Sequence, residues 1–282
     1  IIPGLVGSEM CIRDRFKDHP AILMWEFGNE FNYHPEWFGG NIDNWYSLLE
    51  TAAANVKTID PNHPVSTGNG EVPSLDVINS CPSVDVWGMN IYRFLNTTSA
   101  ITDLASYSDK AMYISESGAD SFNNNQQSEN QSQQALATEQ ILNSVLSYSD
   151  LCAGITLFEF CDEWWKAGDP NSHDPGGFPI SVAYDNFANE EYWGIVNRDR
   201  TKKESFYVVQ EIYGNQGGNG TNEDLITFLE SGTWRLQTEV DGYRGVGPGG
   251  SFSAEWWNSS ANEDNTSYGL HDDRFNFYGT SI

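Results

Sequence analysis

The sequence has few basic residues. Only 14 Lys and Arg stand against 40 Asp and Glu, which gives a formal net charge of −26 over 282 residues. Nucleic acids and anionic membranes bind proteins through basic patches, so neither is expected as a partner. The same excess of acid disfavours a sulfated or uronic polymer and favours a neutral ligand. The alternative interpretation of the acidity is a solvated surface that keeps the protein in solution.

Cysteines and long hydrophobic runs are also scarce. The four cysteines, Cys11, Cys81, Cys152 and Cys161, form no Cys-x-x-Cys pair, so neither a metal site nor any other cofactor is expected. No stretch reaches the roughly 18 apolar residues of a membrane span. Aromatic residues are abundant, with 10 Trp, 13 Tyr and 15 Phe. The chain can therefore bury enough apolar surface to fold.

The first segment does not read as part of a fold. Residues 1–15, "IIPGLVGSEMCIRDR", show no periodic hydrophobic pattern and no signal-peptide layout. They are similar to a translated adapter sequence that recurs in environmental sequence data. We therefore interpret this segment as a sequencing artefact and expect the natural gene product, with any signal peptide, to begin upstream.

From residue 16 onwards, strand patterns alternate with helix patterns. Continuous apolar runs such as "AILMWEFGN" and "AGITLFEF" are typical of a parallel sheet covered by helices. The spacing in "NIDNWYSLLETAAANVKTID", "SENQSQQALATEQILNSVLSYSD" and "TKKESFYVVQEIYG" predicts helices. We predict an α/β domain over residues 16–213 and a Gly- and Asn-rich linker over 214–222. The turn-rich, aromatic segment 223–282 predicts a separate, truncated, β-sandwich-like domain.

Two glutamates each close a predicted strand. Glu30 ends "ILMWEFGNE" and Glu116 ends "MYISE", and their separation, 116 − 30 = 86 residues, is close to three βα units of about 31 residues in a TIM barrel. Catalytic groups in that fold lie at the carboxyl ends of the strands, so both acids would face one mouth. Paired carboxyl groups suit glycoside hydrolysis. A single such Glu is more often a cap or a surface acid, but the pair favours catalysis.

The motifs "WEFGNE", "GMNIY" and "ISESG" together resemble the clan A retaining glycoside hydrolases with an (α/β)8 barrel. The resemblance covers roughly residues 17–213 and is nearest to family 2-like barrels and bacterial β-glucanases. It implies that Glu30 is the acid/base at the end of strand four and that Glu116 is the nucleophile at the end of strand seven. It also implies that Asn29 binds the sugar 2-hydroxyl and that Tyr92 donates its hydroxyl to the nucleophile. A core tyrosine is an equal alternative for Tyr92.

Several aromatic residues are candidates for sugar binding. "LFEFCDEWWKAG" matches the strand-eight region, which in this clan commonly provides a Trp platform, so Trp164 and Trp165 are the candidates there. The "FEF" pattern does not settle which side chains face inward. Trp25, Tyr33 and Trp37 are candidates for other subsites. For each of these residues, plain packing is at least as good an interpretation.

The position of Glu30 departs from the family pattern. If Glu30 ends strand four, about 90 residues should precede it, and only residues 16–21 are available before its strand. We therefore expect a fragment that holds strands four to eight, with unpaired sheet edges, that is inactive or aggregates by itself. The segment from Glu223 resembles, more loosely, β-rich accessory modules of Bacteroidota carbohydrate-degrading enzymes.

These observations predict the C-terminal part of a secreted, retaining β-glycosidase that cleaves a neutral β-glycan, in particular a β-glucan. The expected partner is a polysaccharide or oligosaccharide, and the family resemblance implies an extracellular, periplasmic or cell-surface location. A transglycosylase is an alternative within the same mechanism. The alternatives from other classes are a non-catalytic glycan-binding protein on a degenerate barrel and a structural surface protein.

Overall fold

The computed structural model describes residues 22–215 without a break, together with Lys17 and four two-residue strands between residues 234 and 275. Residues 23–215 form one compact unit. In the other unit, Trp234–Arg235 pairs with Arg274–Phe275, and Gly245–Val246 pairs with Trp257–Asn258. The predicted linker begins at residue 214, but residues 214 and 215 belong to the helix Glu204–Asn215. The predicted artefact, residues 216–222 of the linker and the rest of the predicted β-rich domain lie outside the described residues.

Five parallel strands in sequential order form the central sheet of the compact unit. Each strand is followed by a helix, so the unit consists of five consecutive βα units of a partial TIM barrel, as the sequence predicts for strands four to eight. The strands are β1 (Trp25–Asn29), β2 (Val65–Gly70), β3 (Val86–Asn90), β4 (Ala111–Ser117) and β5 (Ile155–Leu157). Within residues 22–215, β1 and β5 each pair with a single strand of this sheet.

Five α-helices connect and follow these strands. They are α1 (Asp43–Ile59), α2 (Leu75–Ser80), α3 (Thr97–Ala105), α4 (Gln131–Leu146) and α5 (Glu204–Asn215). The sequence predicts α1, α4 and α5 but misses the other two. Helix α2 has six residues, too few to show a helical period, and begins where the Ser74 side chain accepts a hydrogen bond from the backbone of Val77. Helix α3 fully buries only three apolar residues, Ala100, Ile101 and Leu104, among polar and β-branched ones.

The core lies between the sheet and its helices. Alternate residues of β3 and the residue after it, Trp87, Met89 and Ile91, are fully buried and pack against helix residues such as Leu49 and Leu104. Because side chains alternate across a strand, the residues between them, including Asn90 at the strand end, face the inside of the barrel. The outer face therefore stabilises the fold, and the inner face carries the polar groups.

The long segment after β5 holds a hairpin of β6 (Gly177–Pro179) and β7 (Phe187–Asn189). A buried ion pair fastens this segment to the start of α5, because Lys203 Nζ lies 2.8 Å from Asp162 Oδ1 and both side chains are inaccessible to solvent. Lys203 also donates to Ser121 Oγ at 3.2 Å. Removing one partner of such a pair costs several kcal/mol, about 3 to 5. The pair therefore makes Asp162 a structural residue.

Candidate active site

The end of β1 has an irregular backbone that sets the position of Glu30. Gly28 adopts a left-handed conformation with φ of 71°, and a Cβ at this position would lie 2.6 Å from the Trp45 ring. The pairing of β1 with β2 shifts between Glu26 and Asn29. Glu30 is itself left-handed, with φ of 56°, and its backbone N–H donates to the Gly68 carbonyl at 2.8 Å. Bulges of this kind re-aim side chains at barrel rims.

Glu116 lies near the end of β4 and is held by a tyrosine. The Tyr92 hydroxyl donates a hydrogen bond of 2.9 Å to Glu116 Oε2. The tyrosine ring is packed edge-on by Phe158 and Trp193, with ring centroids 6.1 and 5.2 Å away. Burial raises the pKa of Tyr92 well above its ordinary value, so its hydroxyl stays protonated and remains a donor.

The pKa of Glu116 reports its surroundings. Burial raises this pKa above its ordinary value, the hydrogen bond from Tyr92 opposes the rise, and the charge of Glu30 adds to it. The two glutamates are carried by strands three apart in the sheet, and the charge of Glu30 acts on Glu116. Because these strands are parallel, both acids lie at the carboxyl edge of the sheet, and their catalytic roles stay a prediction.

An amide and hydroxyl network lies between the two strands that carry the acids. Asn90 Nδ2 donates to Asn29 Oδ1 at 2.9 Å, and Ser115 Oγ donates to Asn90 Oδ1 at 2.6 Å. Both asparagines lower the pKa of Glu116. Asn90 and Ser115 were not predicted as site residues, although the "GMN" at the end of β3 is a visible signal. The network orients Asn29 beside the carboxylates.

The two tryptophans of the predicted aromatic platform, Trp164 and Trp165, have different surroundings. The Trp164 ring stacks on His173 at 5.0 Å, and the Trp165 side chain is 70% exposed. The rings that contact Tyr92 are those of Phe158 and Trp193. The structure therefore places Phe158 beside the Tyr92–Glu116 pair and does not bring either predicted tryptophan into contact with that pair.

Trp25 lies at the opposite end of β1 from Glu30. Its indole Nε1 donates to Asp60 Oδ2 at 2.8 Å, where α1 ends, and its ring packs edge-on against His63. The structure does not bring Trp25 to the site, because the first residue of a barrel strand lies at the amino end of the barrel. Its position is that of a packing residue that joins β1 to α1.

Two exposed aromatic residues follow Glu30 directly in the chain. Tyr33 is 52% exposed and Trp37 is 58% exposed. Burial and the charges of Glu71 and Glu30 raise the pKa of Tyr33. The Trp37 ring stacks on His34 with centroids 3.8 Å apart. This short segment therefore offers aromatic surface to solvent on the Glu30 side of the site.

A charged cluster lies at the end of β5. Lys166 Nζ is 2.8 Å from Glu159 Oε2 and 3.0 Å from Glu163 Oε2. Burial raises the pKa of Glu159 to about 7, although the lysine opposes the rise. The same ammonium lies 4.2 Å from the centre of the Phe158 ring. The cluster therefore borders the aromatic residue that packs on Tyr92.

No metal-binding group of three or more His, Cys, Asp or Glu side chains is found among residues that the structure describes. In the same part of the chain, no helix combines the length and the apolar character that crossing a bilayer requires. Within it, Cys81 and Cys152 are buried free thiols and Cys161 is a half-buried one.

Comparison with known families identifies the chain. Residues 8–216 match the family described as glycosyl hydrolases family 2, TIM barrel domain, and the chain belongs to this family. The fold resembles that of a GH2 β-galacturonidase from Eisenbergiella tayi, with TM-score 0.53 and 18% identity over 74% of this chain and 36% of that one. It also resembles a β-galactosidase described as putative from Bacteroides fragilis, with TM-score 0.51 and 17% identity over 74% of this chain and 30% of that one.

Among curated proteins, the chain is similar to mannan endo-1,4-beta-mannosidase F of Aspergillus clavatus. The two are 42% identical over 58 residues, which is 21% of this chain and 12% of that protein. The matched part thus spans about an eighth of this curated relative and about a third of the solved structures. The Bacteroidota accessory module that the sequence suggests falls on residues 223–282, of which the structure describes only four two-residue strands.

Proposed function

We propose that this chain carries the catalytic end of a retaining β-glycosidase, with Glu116 as the nucleophile and Glu30 as the acid/base. The observation that carries the proposal is the 2.9 Å hydrogen bond that the Tyr92 hydroxyl donates to Glu116. The charge of Glu30 also acts on Glu116. A nucleophilic carboxylate must be ionised and aimed, and a protonated tyrosine hydroxyl does both.

In the first step, Glu116 attacks the anomeric carbon while Glu30 transfers its proton to the leaving oxygen. The bond to the leaving group breaks, and a glycosyl ester with Glu116 forms. Asn29 is held by Asn90 at 2.9 Å, and its amide is proposed to bind the 2-hydroxyl of the sugar. Such a contact accelerates the reaction because it strengthens in the transition state.

In the second step, Glu30 acts as a base. It takes a proton from water as the water oxygen attacks the anomeric carbon, and the ester bond to Glu116 breaks. The carboxylate of Glu116 and the proton on Glu30 are restored, so one turnover consumes one water and leaves the anomeric configuration unchanged. A sugar hydroxyl in place of water would give transglycosylation by the same route.

We propose a neutral β-glycan, in particular a β-glucan, as the substrate. The net charge of −26 disfavours an anionic polymer. The exposed rings of Tyr33 and Trp37 add apolar surface of the kind on which sugar rings pack. The name of the curated relative, a mannan endo-1,4-beta-mannosidase, is also that of an enzyme for a neutral polysaccharide. Such polymers are met outside the cytoplasm, so we propose an extracellular, periplasmic or cell-surface location, which cell fractionation tests.

We further propose that the 282-residue chain is inactive by itself. Among the described residues, β1 and β5 have one neighbour each in the sheet, and a barrel closes only when its first and last strands are joined. The active form is then a protein in which three further βα units precede this chain, called the closed-barrel enzyme below. Equal turnover by the 282-residue chain and by the closed-barrel enzyme would contradict this proposal.

The test of the function is the pair of variants Glu116→Gln and Glu30→Gln in the closed-barrel enzyme. Glu116→Gln should lower kcat on aryl β-glycosides by about 10⁴-fold or more, because no covalent intermediate forms. Proton NMR of the first product should show the β-anomer. An α-anomer as the first product, or an active Glu116→Gln variant, would refute the retaining mechanism with this nucleophile.

A further inference from the structure

The only ammonium that borders Phe158 in the described part of the chain is enclosed by acids. Lys166 Nζ lies 2.8 Å from Glu159 and 3.0 Å from Glu163, and the Lys166 and Glu159 side chains are 13% and 12% exposed. Burial raises the pKa of a third acid, Glu190, and the charge of Lys166 opposes that rise. The positive charge of Lys166 is therefore neutralised by the neighbouring carboxylates. The cluster of Glu159, Glu163 and Lys166 carries a net charge of about −1 when its acids are ionised.

Two aromatic rings, Phe158 and Tyr92, separate this cluster from the proposed nucleophile, Glu116. The Phe158 ring has Lys166 at 4.2 Å on its face and Tyr92 at 6.1 Å, and Tyr92 donates to Glu116. The backbone N–H of Glu159 donates to the carbonyl of Trp193, whose ring also packs on Tyr92. Burial raises the pKa of Tyr92, and the charge of Glu159 adds to that rise. A sugar bound at Glu116 therefore lies within the electrostatic reach of the cluster.

The charge of the cluster also favours one class of ligand. Glu159 Oε2 accepts from Lys166 at 2.8 Å, whereas Glu159 Oε1 is inaccessible to solvent and accepts no hydrogen bond from the described residues. The Glu159 carboxylate is therefore fixed beside the ammonium and acts on a sugar through its charge. A sugar carboxylate bound near Glu116 would face the net negative charge of the cluster, whereas a neutral hydroxymethyl group would not.

We propose that Glu159 and Glu163 sequester Lys166 and thereby make the site accept neutral hexosides and reject hexuronides, with Glu159 as the principal specificity-determining residue. The inference rests on the proposed glycosidase function and specifies its substrate class. The similar fold of an enzyme named β-galacturonidase shows that the barrel alone does not decide this choice. Side chains at the strand ends must decide it.

The test compares matched aryl glycosides in the closed-barrel enzyme. Each pair, such as the p-nitrophenyl β-D-glucoside and β-D-glucuronide, differs only in the group on C5, which is a hydroxymethyl in one member and a carboxylate in the other. For the pair of substrates that the wild type cleaves fastest, kcat/KM should be about 100-fold or more higher for the neutral glycoside than for the hexuronide. At a pH above the pKa of Glu159, which is about 7, Glu159→Gln should reduce this ratio by about 10-fold, because a negative charge beside Lys166 is lost. Lys166→Met should raise the ratio, since two acids lose their counter-charge.

Asp85→Asn is the matched control. It removes the carboxylate of another lysine pair, with Lys57, at the amino end of β3, and it should leave the ratio unchanged within about twofold. If Glu159→Gln does not fold, Glu163→Gln serves instead, because its carboxylate contacts the same ammonium and is more exposed.

The outcomes separate the two proposals. A wild-type enzyme that cleaves neither member of any pair refutes the glycosidase function. A wild type that cleaves neutral glycosides while the ratio stays unchanged in Glu159→Gln and Glu163→Gln refutes the selectivity inference alone. A wild type that favours the hexuronide also refutes it.

Discussion

The two proposed catalytic carboxylates are positioned in different ways. Glu116 is held through its side chain, which accepts the Tyr92 hydroxyl at 2.9 Å in a buried setting. Glu30 is held through its backbone, which has a φ of 56° and donates to Gly68. No hydrogen bond from a described side chain reaches the Glu30 carboxylate. A nucleophile must stay ionised and aimed, whereas an acid/base must exchange protons, so a freer carboxyl group suits Glu30.

The largest expected effect that distinguishes Glu30 from Glu116 is the dependence of the rate on the leaving group. Glu30→Gln removes proton donation, so hydrolysis of an unactivated β-glycoside should fall by about 10³-fold. Formation of the glycosyl-enzyme from a dinitrophenyl glycoside, which needs no protonation, should fall far less. Glu36→Gln, an exposed acid on the same segment, is the control. Equal losses on both substrates would contradict the role of Glu30.

The next prediction concerns the irregular backbone at Gly28, which helps to position Glu30. Gly28→Ala should lower the free energy of unfolding by about 3 kcal/mol, since left-handed strain costs about 1 and the clash with Trp45 about 2. Gly40→Ala separates these contributions, because Gly40 is also left-handed, with φ of 80°, but has open space around its Cβ position. Urea denaturation of the closed-barrel enzyme measures both. Equal losses for the two variants would show that the Trp45 contact is unimportant.

A smaller effect concerns the side-chain support of Glu116. The Tyr92 hydrogen bond lowers the pKa of Glu116, so Tyr92→Phe should raise that pKa further. Glu116 must be ionised to attack, so activity is lost below its pKa and the acidic limb of kcat/KM should move to higher pH, by about one unit. Tyr46→Phe, which removes a buried hydroxyl that donates to Asn69, should leave this limb in place. An unmoved limb in Tyr92→Phe would contradict the account.

The smallest effect is expected at the amino end of β1. Trp25→Phe loses the hydrogen bond to Asp60 and should cost about 1 kcal/mol of stability. Because Trp25 lies away from the carboxylates, KM and kcat should stay within about twofold of wild type, which steady-state kinetics can measure. A large rise in KM would restore Trp25 as a sugar-binding residue.

The sequence predicts which acids lie at the strand ends better than it predicts their surroundings. Glu30 and Glu116 can be placed there because barrel geometry repeats at a fixed interval and each acid follows an apolar run. The same local pattern cannot distinguish Trp25 from a sugar platform, since an indole that donates to a helix end looks the same in sequence as one that faces a ligand. That distinction depends on which end of the strand the residue occupies.

The segment after β5 shows a second limit. "FEFCDEWWK" contains several aromatic residues and acids, and only the folded chain shows that Phe158 packs near Tyr92 while Trp165 is exposed. The segment has no regular period that would indicate an inner face. Its partners, such as Trp193 and Lys203, lie tens of residues further along, and such long-range pairing leaves no signal in a local pattern.

The central claim is that Glu116 forms the covalent intermediate, and trapping tests it most directly. The closed-barrel enzyme would be incubated with a 2-deoxy-2-fluoro β-glycosyl fluoride, and the labelled peptide would be identified by mass spectrometry. The account predicts one fluoroglycosyl group per protein, attached to Glu116 in the peptide that contains "MYISESG". A label on Glu30, on Glu159 or on another residue would contradict it.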